Sequence, residues 1–309
     1  MPHPKNQPVT FAELFQQSHP DREVVYKKAG DEALKYFLFY PPGFRAGEAI
    51  PAVVWFHGGG WTAGDANVFF PHARYFAQRG AIGVSVAYRL VKPDGPTVGD
   101  CVADAKSALR YLRSHAAELG IDPKHIAALG DSAGGHLAAA LATVGGFDDP
   151  GDDLSVNAMP DLMVLFNPVL DLTYAGFIRT VMGGAAMDKH ATPEQATPSD
   201  AQLALAKKLS PLNHVARIPP TLVMHGAQDR IVPAGQSEKF CTLARAAGNS
   251  CEFALLPNAR HAFVVARYTA AEAAVVDVLR RTDVFLVTHG WIKGTANLEV
   301  SAEPAWKLR

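Results

Sequence analysis

A run of small residues, Gly130-Asp-Ser-Ala-Gly-Gly, follows the apolar stretch Ile126–Leu129 and opens into Ala133–Thr143, which is small and apolar all round. A strand that turns this abruptly into a helix tolerates only tiny side chains around the bend, which accounts for Gly130, Ala133, Gly134 and Gly135. Such a turn holds the Ser132 hydroxyl out at the carboxyl end of the strand, with a helix N-terminus behind it that favours developing negative charge. A chain with this element needs a buried parallel strand to carry it and neighbouring strands to cover it.

The rest of the chain supplies them. The apolar runs Ala52–Phe56, Ala81–Val86, Ile126–Leu129, Leu162–Phe166, Thr221–His225 and Phe253–Leu256 alternate with helical segments at Phe70–Arg79, Val98–Leu119, Ala133–Thr143 and Ala270 to about Val287. That alternation predicts an α/β fold, a mostly parallel central sheet with helices on both faces. Glu23–Lys27 and Leu34–Tyr40 read as a leading antiparallel pair around an Ala-Gly-Asp-Glu turn. Between Thr173 and Ser210 the alternation lapses, apart from a helical piece near Ala201–Leu209. An insertion of that length, 173–210, is expected to form a lid or pocket wall. No repeat or composition break suggests a second domain, so residues 1–309 are expected to form one.

Two further motifs bear on Ser132. His57-Gly-Gly-Gly-Trp follows the strand Ala52–Phe56, and consecutive glycines let backbone N–H groups converge on a substrate oxygen. The expected donors are the amides of Gly58, Gly59 and Ala133, with His57 bracing the loop. Asp229 follows the strand Thr221–His225, and His261 follows Phe253–Leu256, each just past a strand's carboxyl end. In the order Ser132, Asp229, His261 these residues read as nucleophile, orienting acid and general base. Trp61 and Phe263 adjoin the catalytic loops and read equally as substrate contacts or core.

These segments, with Tyr88-Arg-Leu, Gly226–Pro233 and Pro257–Phe263, resemble the esterase branch of the α/β-hydrolases that includes the hormone-sensitive-lipase family and the bacterial acetyl esterases. The resemblance spans about residues 35 to 285 and implies a serine carboxylesterase working through an acyl-serine, with no metal or organic cofactor. It also has departures. Only 56 residues precede His57, Val91-Lys-Pro-Asp replaces a common Ala-Pro-Glu, and His136 stands where Asn is common. The chain therefore looks closer to compact carbohydrate and acetyl esterases, and short-chain, acetyl-like esters are the expected substrates. A peptidase or amidase with the same triad, or a non-catalytic ligand-binding relative, are the alternatives; the second typically loses a triad member, and all three are present here.

Composition excludes other classes. With 29 Lys+Arg against 30 Asp+Glu and a net charge of -1, there is no electrostatic footprint for a nucleic acid or an anionic membrane. No stretch approaches the roughly 20 apolar residues of a membrane span. Small-molecule or carbohydrate esters remain as partners, and the sequence carries no signal for oligomeric state. Asp148-Asp-Pro-Gly-Asp-Asp lacks calcium-loop spacing and reads as a solvated turn, and Asp100 and Asp104 as cap or surface charges. Three cysteines allow two readings, incidental buried thiols or a Cys241–Cys251 bridge with Cys101 unpaired. The first fits the cytoplasm, the default where no export signal is visible, and the second a periplasmic or secreted enzyme.

Overall fold

The computed structural model describes residues 8–183, 197–266, 268 and 270–302. In chain order the strands are Val9–Thr10 (β1), Arg22–Ala29 (β2), Glu32–Phe39 (β3), Ile50–Phe56 (β4), Ile82–Val86 (β5), Ile121–Asp131 (β6), Leu162–Phe166 (β7), Thr221–Gly226 (β8), Cys251–Leu256 (β9) and Leu298–Glu299 (β10). Eight of them form one sheet in the order β2-β3-β5-β4-β6-β7-β8-β9. The β2–β3 and β3–β5 pairs are antiparallel and every later pair is parallel. This is the α/β-hydrolase fold, as the sequence pattern leads one to expect.

The central strands are apolar on both faces because both faces are covered. In β4, Ala52, Val54 and Phe56 enter one core cluster while Val53 and Trp55 enter the other. In β7, Met163 and Leu165 face the first cluster, and Leu162, Val164 and Phe166 the second. Each such large side chain contributes about 1.5–3 kcal/mol by leaving water. With both faces packed into the core, the C-terminal ends of β6, β8 and β9 are fixed along one edge of the sheet, with β7 between β6 and β8.

Several boundaries differ from expectation. The helix expected over Val98–Leu119 is two, Val98–Ser114 and Ala116–Leu119. The break falls at His115, whose ring and backbone N–H both take the Tyr111 carbonyl. The insertion contains a second helix, Ala175–Met182, besides Asp200–Leu209, and its residues 184–196 lie outside the described residues. The tail, without periodicity of its own, lays β10 parallel to β1.

The acidic features need correction. Asp100 is a cap, bonded to Thr97 in a capping box. Asp104 is no surface charge: it is fully buried, accepts from the Arg89 N–H, Nε and Nη2 at 3.0, 2.8 and 2.7 Å, and pairs with Lys27 at 2.7 Å. A buried carboxylate persists where it is saturated in this way. The Asp148–Asp153 segment is likewise not simply solvated. Asp148 and Asp152 both pair with Arg110, and Asp149 pairs with Lys27. Of the two readings of the cysteines the bridge stands, Cys241 bonded to Cys251 with Cα atoms 5.3 Å apart and Cys101 a buried free thiol. Among the described residues no helix is long and apolar enough to cross a membrane.

Candidate active site

β6 delivers the chain to Ser132, the first residue of the helix Ser132–Thr143. Ser132 has φ +52, a left-handed conformation that an L side chain adopts only under local constraint. The constraint is backbone against backbone. A Cβ on Gly130 would lie 2.3 Å from the Gly134 carbonyl oxygen, and one on Gly134 2.0 Å from that of Phe56. No side chain fits at either place, so the bend is closed by glycines and the hydroxyl is left at the sheet's edge.

The other two residues arrive from β8 and β9, two and three strands along the sheet from β6. His261 Nε2 lies 2.9 Å from Ser132 Oγ, and His261 Nδ1 lies 2.7 Å from Asp229 Oδ2. Asp229 is fixed in turn: its Oδ1 accepts the Ile231 and Val232 N–H groups at 2.8 and 2.9 Å, and His225 Nε2 stands 3.3 Å from Oδ2. Burial alone raises the Asp229 pKa, but the hydrogen bonds from His225, His261 and Val232 outweigh it and hold the carboxyl well below the usual range. It is therefore ionised near neutrality, and His261 presents Nδ1–H to it, leaving the Nε2 lone pair for the serine proton. Because the folded pKa is depressed, the stability this carboxylate contributes is complete above its unfolded pKa and is lost as pH falls from there toward the folded value.

Sequence reasoning missed two supports. His225 is wholly buried, bonded through Nδ1 to Ser237 Oγ at 2.7 Å and through Nε2 to the Val232 carbonyl at 3.0 Å. Asn167, directly after β7 and at φ +36, accepts the Ala262 N–H on Oδ1 at 3.2 Å and so holds the loop of His261. The signal for Asn167 was a polar residue ending a strand that is otherwise wholly apolar.

The glycine loop differs from expectation by one residue. The Gly58 N–H is committed to Asp131 Oδ1 at 2.8 Å, so it is not a donor to substrate. His57 is a brace, as expected: its Nδ1 is 2.8 Å from the Gly58 carbonyl, its ring stacks on Tyr88 at 4.3 Å, and its carbonyl accepts the Tyr88 hydroxyl at 2.7 Å. Gly59 and Gly60, at φ +113 and +61, have N–H groups without an acceptor among the described residues. Ala133 is the second residue of its helix, where N–H groups lack intrahelical partners. The signal for the shift was Asp131 itself, a buried acid pointing from the bend toward the loop.

Neither Trp61 nor Phe263 presents surface to a substrate. Trp61 is fully buried, its indole N–H given to His136 Nδ1 at 3.1 Å, and Phe263 is buried against Phe166 at 6.3 Å. Both belong to the packing beneath the loops.

A serine, a histidine and an aspartate in hydrogen-bonded series at the carboxyl edge of this sheet define the hydrolase class of the fold. Comparison with known proteins narrows it. A family model described as BD-FAE matches residues 38–243, and one for the dienelactone hydrolase family matches residues 198–290. The chain is 32% identical over 261 residues to the carboxylesterase NlhH of Mycobacterium tuberculosis, covering 79% of this chain and 75% of that protein. It is 30% identical over 291 residues to the esterase LipQ of the same organism, covering 92% and 66%. Among solved structures, the butyrate-bound thermophilic esterase of the Planctomycetes species Thermogutta terrifontis superposes with a TM-score of 0.78 at 34% identity, covering 90% of this chain and 98% of that one. The chain belongs to the carboxylesterases of the α/β-hydrolase type.

Proposed function

We propose that the protein hydrolyses short-chain carboxylic esters, acetyl to butyryl, through an acyl-serine on Ser132, with acetylated carbohydrates among its substrates. The observation that carries the mechanism is the pair of contacts on His261, 2.9 Å to Ser132 Oγ and 2.7 Å to Asp229 Oδ2. His261 removes the serine proton as Oγ attacks the ester carbonyl, and the oxyanion is held by the amides of Gly59, Gly60 and Ala133. Collapse expels the alcohol, which takes its proton from His261. The same histidine then activates the water that frees the acid, while Asp229 holds its tautomer.

Support for a short acyl group comes from a solved relative. The Thermogutta terrifontis esterase was solved with propionate and with butyrate, both short acids. Ser132→Ala is expected to lower kcat by about 10⁵–10⁶ with the melting temperature retained. A variant keeping a tenth of wild-type activity overturns the mechanism. In a series of p-nitrophenyl esters, faster turnover of decanoyl than of acetyl overturns the chain-length reading.

A further inference from the structure

The helix that begins at Ser132 carries one ionisable side chain for which the triad has no use. His136 lies one turn beyond the serine, wholly buried, with both ring nitrogens engaged. Nδ1 accepts the Trp61 indole N–H at 3.1 Å, and Nε2 stands 2.9 Å from the Leu209 carbonyl. An indole N–H only donates and a carbonyl only accepts, so the two partners together dictate a neutral ring protonated on Nε2. Burial lowers its pKa to about 4, with only the Leu209 carbonyl opposing, which agrees with a neutral ring.

The two partners belong to different segments beside the site. Trp61 directly follows Gly60, and at φ +61 it holds a left-handed conformation that a bulky residue keeps only under outside constraint. Its carbonyl takes the Val91 N–H at 2.8 Å, and its ring meets Phe177 of the insertion. Leu209 ends the insertion helix Asp200–Leu209, where carbonyls lack intrahelical donors. One imidazole thus ties the nucleophile's helix to the glycine loop and to the insertion.

We propose that His136 is a positioning residue for ester hydrolysis: through Trp61 it sets the Gly59 and Gly60 amides against Ala133, and through Leu209 it fixes the insertion over the same loop. The proposal rests on the reading of those three amides as the oxyanion hole. Amides aimed at the oxyanion act on the transition state more than on bound ester, so loosening the Trp61 tie lowers kcat and leaves KM nearly unchanged. Loosening the Leu209 tie moves the insertion, and KM responds instead.

Two isosteres separate the ties. His136→Asn keeps a polar atom at the Nδ1 position, where its amide oxygen accepts from Trp61, and gives up Leu209. His136→Gln keeps a donor at the Nε2 position for Leu209 and leaves Trp61 without an acceptor. The expected result is kcat within about threefold of wild type but a raised KM for His136→Asn, and kcat lowered by about 10–100-fold at unchanged KM for His136→Gln. Trp61→Phe, which removes the same bond from the other partner, is expected to match His136→Gln and decides the matter where that variant does not fold. Equal losses of kcat in the Asn and Gln variants overturn the proposal, as does a Trp61→Phe variant with wild-type kcat. A trifluoromethyl ketone, which adds to the serine as a tetrahedral oxyanion, tells the two readings apart. Wild type binding it no more tightly than the matching ester sinks the oxyanion-hole reading and the proposal with it. Tight binding that His136→Gln retains sinks only the proposal.

Discussion

Ser132 is held by main chain packed on main chain, with Gly130 and Gly134 pressed against carbonyl groups and no room for a Cβ at either. Asp229 and His261, which follow the adjacent strands β8 and β9, are held instead by side-chain hydrogen bonds: Ser237 to His225, His225 and two amides to Asp229, Asn167 to the loop of His261. The first arrangement fixes position by exclusion, and any added atom breaks it. The second fixes orientation and protonation by donors and acceptors, and a substitution there leaves the fold while changing the chemistry. Substitution of the glycines of the bend is therefore expected to cost stability, and substitution on the acid–base side to cost turnover.

Asp229→Asn tests the acid–base side most severely. An amide at this position donates its N–H to His261 Nδ1 and so moves the imidazole proton to Nε2, the wrong nitrogen for accepting from Ser132. The expected loss is about 10⁴ in kcat, some 5.5 kcal/mol of barrier, with little change in melting temperature. Loss of less than tenfold breaks the comparison. Gly134→Ala tests the other side: a Cβ 2.0 Å from the Phe56 carbonyl forces β4 and the Ser132 helix apart. Urea denaturation is expected to show a loss of about 3 kcal/mol or more. A variant within about 1 kcal/mol of wild type shows that the bend is not fixed by exclusion.

The same division explains how much was legible in the sequence. Backbone exclusion leaves a local signature, glycines at set spacing after an apolar run, so Ser132, its strand and its helix are readable from residues 126–143 alone. The sheet is readable for a similar reason, since strands buried on both faces must be apolar throughout. Hydrogen-bonded supports leave a weaker signature: Asn167 stands out only as the polar residue that ends an apolar strand, and the partners of Asn167, His225 and Ser237 are identified only by the fold. Asp104 was misread for that reason: its spacing on a helix looks like a surface charge until Arg89 and Lys27 are seen to converge on it. Gly58 was misassigned because three consecutive glycines look alike, and only Asp131, a residue 73 positions away, distinguishes the first from the others.

Asp131 is where the nucleophile side does depend on a side chain, and it gives the smallest of the expected effects. The two carboxyls of the site are shifted in opposite directions. Asp229 is surrounded by donors and stays ionised, whereas burial raises Asp131 to about 6, with His261 and the Gly58 N–H pulling it only partly back. For a carboxyl raised in the fold, the folded state binds the proton more tightly than the unfolded chain. The stability this gives is complete below the unfolded pKa and is lost as pH rises through about 6. A shift of this size corresponds to about 2–3 kcal/mol between the two limits. Asp131→Asn keeps an oxygen to accept the Gly58 N–H and has nothing to titrate, so it lacks this loss. Urea unfolding of both proteins at pH 4.5 and pH 7.5 is expected to show the variant gaining about 2 kcal/mol on wild type over that span, the other titrating groups cancelling in the difference. A variant that loses ground as pH rises has the opposite sign, and it means that the Asp131 carboxylate is stabilised by donors, as Asp229 is, and that the two sides of the site are held alike.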